Sequence, residues 1–126
     1  MKYIGNIEKE TLENENFRKV LNTTKLSQLV VMSVAPGEDI GMEVHEGHDQ
    51  FIRIEQGKAE VILDGEKTLV EDDFAVVIPA GTEHNVVNVG DVDLKLYTIY
   101  TPPEHPDGTI HKDKAEADAY EAEHHH

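Results

Sequence analysis

Between Phe17 and Tyr100 the apolar positions fall in short runs with a two-residue alternation, broken every few residues by turn signals. No stretch in that span keeps a helical period. Phe17 to Leu21 reads as a short strand ended by Thr23-Thr24, and Leu26 to Ala35 as a stronger one. The second run passes from alternating to continuously apolar, as expected where both faces are buried, by a second sheet or by a partner subunit. Pro36-Gly37 marks a turn. From Gly37 to Gly57 the pattern reads as a hairpin, with Gly47 breaking its first strand and an alternating run resuming at Gln50. Ala59 to Leu63, Thr68 to Val70, Phe74 to Ile78, His84 to Val89 and Leu94 to Tyr100 follow as further strands. Asp64-Gly65 is a tight-turn dipeptide between two of them. Pro79 and Ala80-Gly81-Thr82 end another, and Gly90-Asp91 separates the last two. The prediction is all-β: a sandwich or barrel of about eight or more short strands.

The two ends differ in kind. After Ile7 the start of the chain is polar, and ETLENEN reads as a loop or a frayed helical turn. TPPEHPDGTIH (101–111), with three prolines and a glycine, reads as an ordered loop or lid rather than a strand. Lys112 to Glu123 reads as a short C-terminal helix whose thin apolar face is Ala115, Ala119 and Ala122, with Tyr120 alongside. The histidines at 124–126 are most simply a purification-tag remnant. Residues 1–123 are expected to form a single domain.

Composition narrows the classes of function. Aromatic residues are only 6% of the chain, so the core must be built from Val, Ile and Leu. With 26 acidic residues against 11 Lys plus Arg, the net charge of -15 argues against nucleic acid or an anionic membrane as partner, since phosphate binding needs clustered cations. There is no cysteine, hence no disulfide framework and no thiolate metal site. No signal peptide or membrane-spanning apolar run is found, and a soluble cytoplasmic protein is expected.

Candidate chemistry gathers in the hairpin and at one distant position. Glu43 and His45, two apart, leave the same face of one strand; Gln50 opens the next strand, and His84 follows the PAG turn. Each has an ordinary explanation taken singly: Glu43 and His45 as a hydrogen-bonded pair in a polar barrel lumen, His84 as a donor to a nearby carbonyl. Taken together, two imidazoles, one carboxylate and an amide oxygen make a plausible mononuclear site. A two-His-one-carboxylate set with open positions suits ferrous iron, manganese, nickel or zinc.

The spacing of these residues resembles the two signatures of the cupins, a family of jelly-roll (double-stranded β-helix) barrels. Gly37, Glu43, His45, Gln50 and Gly57 fall on the first signature, and Asp73, Pro79, Gly81, His84 and Asn88 on the second, with Asp73 where the family has Gly. The resemblance covers roughly residues 26–100 and is closest to small single-domain cupins, of the group often likened to mannose-6-phosphate isomerase cupins. It implies one divalent metal ion held by Glu43, His45, Gln50 and His84. Where the family uses His, His, Glu and His, this chain exchanges the first His for Glu and the Glu for Gln, which keeps one negative charge in the set.

The resemblance implies a metal-dependent enzyme, an oxygenase or a sugar-type isomerase or epimerase, acting on a small polar molecule. The alternative is a non-catalytic metal- or ligand-binding module, a sensor or carrier. Phosphorylated substrates are disfavoured, because the strands expected to face inward show no Arg or Lys cluster. Candidates for acid or base are His48, His105 and Tyr100, each with a bland counterpart: a solvent-exposed turn residue, an exposed loop histidine and a core tyrosine respectively. His111 flanks the proline loop with His105, and Arg53 is expected to point outward. A homodimer is expected from the resemblance, with Leu29 to Val34 as its contact strand.

Overall fold

Antiparallel pairing organises the chain into two facing sheets in a computed structural model that describes residues 2–124, apart from the side chain of His124. The histidines at 125 and 126, two of the three read as a tag remnant, lie outside the described residues. The strands are β1 (Arg18–Thr23), β2 (Gln28–Val34), β3 (Glu43–Val44), β4 (Asp49–Gln56), β5 (Ala59–Leu63), β6 (Glu66–Val70), β7 (Ala75–Ile78), β8 (Glu83–Asn88), β9 (Leu94–Thr101) and β10 (Ile110–His111). Helix α1 (Ile7–Glu13) precedes them and α2 (Lys114–His124) follows. One sheet has the order β10-β1-β2-β9-β4-β7 and the other β3-β8-β5-β6. The alternating pattern anticipates the two-sheet sandwich, and the resemblance its jelly-roll arrangement.

The core lies between the sheets. Alternation sends Val30, Met32 and Val34 of β2, Ile52 and Ile54 of β4, and Leu94 and Leu96 of β9 inward, to meet Val61 of β5 and Val86 of β8. Each such side chain, fully buried, contributes on the order of 1.5–3 kcal/mol. The β5–β6 hairpin turns at Asp64-Gly65, both with positive φ (48° and 83°), the backbone that an Asp-Gly turn between twisted strands requires. Asp73 also has positive φ, 72°, which explains why the family places Gly there and why Asp, a residue that tolerates this region, can replace it.

Several expectations are corrected. The first four residues of ETLENEN complete a seven-residue helix, α1, and the last three follow it; the N-cap Asn6 accepts a hydrogen bond from the Lys9 amide at 3.1 Å. That helix packs against β2, β4 and β9, and the Lys95 ammonium on the outer face of β9 donates to the Asn14 carbonyl at its end. The helix also accounts for the doubly apolar β2. Val31, on the face away from the core, is 1% exposed beside residues that follow α1. Strand β2 lies between β1 and β9, so it is an interior strand and not a free edge, and α1 supplies part of the cover of its outer face.

Thr23 continues β1 instead of breaking it, carried by pairing with Gln28. The proline loop ends in a strand, β10, paired with β1 through Arg18↔His111. Helix α2 then buries Ala117, with Lys114 and Tyr120 half-buried, and leaves Ala115, Ala119 and Ala122 exposed. Its phase is set by the strand before it and by Asp113, whose carboxylate accepts from the Glu116 amide at 2.8 Å.

Candidate functional site

Three of the expected residues, Glu43, His45 and His84, come together, and Gln50 stands in the facing sheet. Glu43 of β3 pairs directly with His84 of β8 in one sheet, and Gln50 of β4 pairs with Tyr100 of β9 in the other. Strand β3 is only two residues long, so His45 sits just past its end. The side chains of Glu43 and His45 meet nonetheless, with Oε2 and Nε2 3.6 Å apart. Glu43, His45 and His84 each offer a ligand atom within 4.8 Å of the others, and could hold a metal ion. The rings of His45 and His84 stand 5.3 Å apart, centre to centre.

The hydrogen bonds decide which atom of each residue is free. His84 Nδ1 lies 2.9 Å from the Thr82 carbonyl. An oxygen there can only accept, so Nδ1 carries the proton and Nε2 keeps its lone pair. His45 Nδ1 lies 3.0 Å from Glu104 Oε2, which holds that ring in the same way. Gln50, 5% exposed, donates its amide nitrogen to Thr98 Oγ1 at 3.0 Å. What remains is telling: His45 Nε2 and Gln50 Oε1 are both buried and without a hydrogen-bond partner. Buried polar atoms are normally satisfied, and these two are lone-pair donors of the kind a divalent cation accepts.

The electrostatics follow the same geometry. Burial pushes the Glu43 carboxyl above its ordinary range, opposed by the charges of His45, Arg18 and His84. The Glu104 hydrogen bond raises His45, against the effect of burial. Burial acts to raise Glu104 too, but the hydrogen bond and charge of His45, with His48 and His105, outweigh it and hold the group below its usual value. Tyr100 is raised by burial and keeps its proton at neutral pH. His105 is brought down to about 3, first by burial and then by the charge of Arg18, so it is neutral.

The weaker candidates have definite places. His48 is half-buried, with Nδ1 2.6 Å from the Pro102 carbonyl and Nε2 3.4 Å from Glu104 Oε2. Tyr100 is 2% exposed and meets the rings of His45 and His105 edge-on, at 6.0 and 5.3 Å. His105 is thus not an exposed loop residue: the 101–111 loop folds back, and its backbone amide and carbonyl are held by the Gln28 side chain. His111 is buried against Arg18 instead of flanking an open loop. Arg53 does point outward, to Asp73 and Glu55.

Two residues escaped the reading of the sequence. Glu104 lies in the proline loop, where no periodicity marks a functional position. Only the requirement that a ligating histidine be steadied through its other nitrogen could have prompted a search for it. Arg18 opens β1 and is 4% exposed. It is a single buried guanidinium, not the cation cluster that a phosphate would call for.

The comparisons with known proteins agree with the fold. Residues 30–100 match the cupin domain model called Cupin_2. The chain belongs to the cupin family. The YrkC protein of Bacillus subtilis is 49% identical over 125 residues, spanning 94% of this chain and 67% of that one. The crystal structure of BH2720 from Bacillus halodurans superposes with a TM-score of 0.93 at 46% identity, covering 94% of this cupin and 95% of the other chain. A shorter match, 33% identical over 67 residues, is to the polyketide synthase CurC of Streptomyces cyaneus, covering 53% of this chain and 44% of that one. Among the described residues no helix is long and apolar enough to cross a membrane.

Proposed function

We propose that this cupin is a metal-dependent enzyme that binds one divalent cation through Glu43, His45, Gln50 and His84 and acts on a small polar molecule beside it. One observation carries the reading. His45 Nε2 is buried without a partner beside the Glu43 carboxylate and His84, whose other nitrogen is hydrogen-bonded away, and Gln50 Oε1 of the facing sheet is likewise buried without one. Iron, manganese, nickel and zinc all accept such a set. The cation would polarise the substrate's oxygen atoms and supply open coordination positions.

The wall around the four ligands bears on the reaction class. Tyr100 holds its proton and so donates to an oxygen. His105 is too weakly basic to take a proton efficiently near neutral pH. Glu104 stays ionised but is turned toward His45 and His48. A proton-shuttling isomerase or epimerase therefore lacks a well-placed base of ordinary strength among the described residues. An oxygenase-type reaction, in which the substrate is bound and oriented through its oxygens, fits better. The likeness to CurC is compatible with an enzymatic role and carries no substrate over. A homodimer is part of the same proposal; a monomer mass by light scattering at micromolar concentration would refute it.

The test is metal content by plasma mass spectrometry on protein cleaved free of its terminal histidines, beside a His45→Ala, His84→Ala double variant. Near-stoichiometric metal in the parent and its loss in the variant are expected. A parent that holds no metal and takes none up would leave a binding or structural barrel instead. Turnover of metal-loaded protein against small oxygen-bearing acids and sugars then separates an enzyme from a sensor or carrier.

A further inference from the structure

Arg18 is a buried cation without an anion. It is 4% exposed, and its Nε is buried with no hydrogen-bond partner. One terminal nitrogen reaches His111 Nδ1 at 3.1 Å. Arginine only donates, so that ring nitrogen accepts, and His111 is neutral at this contact. Among the described residues no carboxylate forms an ion pair with Arg18. A guanidinium does not lose its proton in a protein. Burying it unpaired is costly, and such a group ordinarily has a partner of opposite charge.

A place for that partner adjoins it. A cavity of about 200 Å3 is lined by Arg18 and Phe17, by Gly41, and by three acids, Glu43, Asp118 and Glu121. Gly41, at φ 113°, presents no side chain to it. Glu43 lines this cavity and belongs also to the cluster with His45 and His84, and its carboxylate feels the charge of Arg18.

We propose that Arg18 is the anion-binding residue of this site and that the substrate is a small carboxylic acid, its carboxylate on the guanidinium and a second oxygen group toward the metal. The substrate orientation rests on the metal reading; the anion site does not. The cavity is smaller than the ~300–1,000 Å3 of sites for drug-sized ligands, which suits an acid of few carbons. A single guanidinium matches one carboxylate edge to edge, whereas a phosphate usually gathers several cations.

The experiment is calorimetric titration of malonate, malonamide and inorganic phosphate into tag-free protein, both metal-loaded and metal-free. The variants are Arg18→Gln, Arg18→Lys and Glu121→Gln, each with metal content measured in parallel. Malonate is expected to bind, and malonamide not. Arg18→Gln should weaken malonate about tenfold or more while metal content stays at the parent level. Arg18→Lys should keep part of the affinity, and it covers the case in which Arg18→Gln fails to fold. Glu121→Gln, which removes one of the acids lining the cavity, should leave malonate binding equal or tighter. Equal malonate affinity in Arg18→Gln, no malonate binding by the parent at millimolar concentration, phosphate bound more tightly than malonate, or loss of binding in Glu121→Gln would each overturn the assignment. Malonate binding through Arg18 by a protein that takes up no metal would keep the anion site and remove the metal reading; metal uptake with no Arg18-dependent malonate binding would do the reverse.

Discussion

Glu104 is the sharpest lever on the proposed metal site, because it touches no ligand atom and acts only through His45. Its Oε2 stands 3.0 Å from His45 Nδ1, with the side chain about a quarter exposed. Carboxylates that steady a ligating imidazole in this way are typically worth ~10–100-fold in metal affinity, or about 1.4–2.7 kcal/mol. Glu104→Gln keeps an acceptor for the Nδ1 proton and loses the charge, so about tenfold weaker binding is expected. Glu104→Ala removes both, and the loss should approach ~100-fold. The pH profile separates this role from general damage. The metal needs His45 neutral, and in the metal-free protein Glu104 holds His45 above its ordinary value. Parent affinity should therefore fall as pH drops through that raised value, and in either variant the fall should move to lower pH. The assay is competition of Mn2+ or Zn2+ against a fluorescent chelator between neutral and mildly acidic pH, with folding checked by circular dichroism. A folded Glu104→Ala protein with parental metal affinity and an unmoved pH profile would refute the placement of His45 Nε2 as a ligand.

Three further outcomes follow from the geometry. Thr98→Val leaves the buried Gln50 amide nitrogen without its acceptor, and should cost ~1–3 kcal/mol in urea denaturation; unchanged stability would mean that the bond is dispensable. Gly57→Ala puts a Cβ 3.2 Å from the Leu94 Cα at a φ of 107°, so a loss of more than about 1 kcal/mol is expected, and a variant as stable as the parent would contradict the backbone described. His105 takes up its proton near 3 when folded but near 6.5 when unfolded. Between those values the unfolded state binds more protons, and stability falls as pH drops. At pH 5 this amounts to ~2 kcal/mol, so His105→Leu should lose about that much less than the parent between pH 7 and pH 5, and identical pH dependence in the two proteins would show that His105 is not buried as a neutral ring.

What the chain's own pattern determined is what repeats or is local. Alternation fixed which side chains of β2, β4 and β9 enter the core, because successive residues of a strand face opposite ways. The Asp64-Gly65 turn and the positive φ at Asp73 follow from residue chemistry alone. Glu43, His45, Gln50 and His84 were legible because their spacing follows that of the family signatures. Tertiary structure decided the rest. The seven residues of α1 have too few turns to show a period, and its role as the cover of β2 exists only once β2, β4 and β9 lie side by side. Glu104 reaches His45 across 59 positions of sequence, and Arg18 reaches His111 across 93. Partners so far apart leave no local trace, since nothing in a strand's pattern records what a distant loop will set against it. The unpaired atoms of His45, Gln50 and Arg18 are decided later still. Whether a buried polar atom has a partner depends on every element packed around it, and no single segment of the chain contains that information.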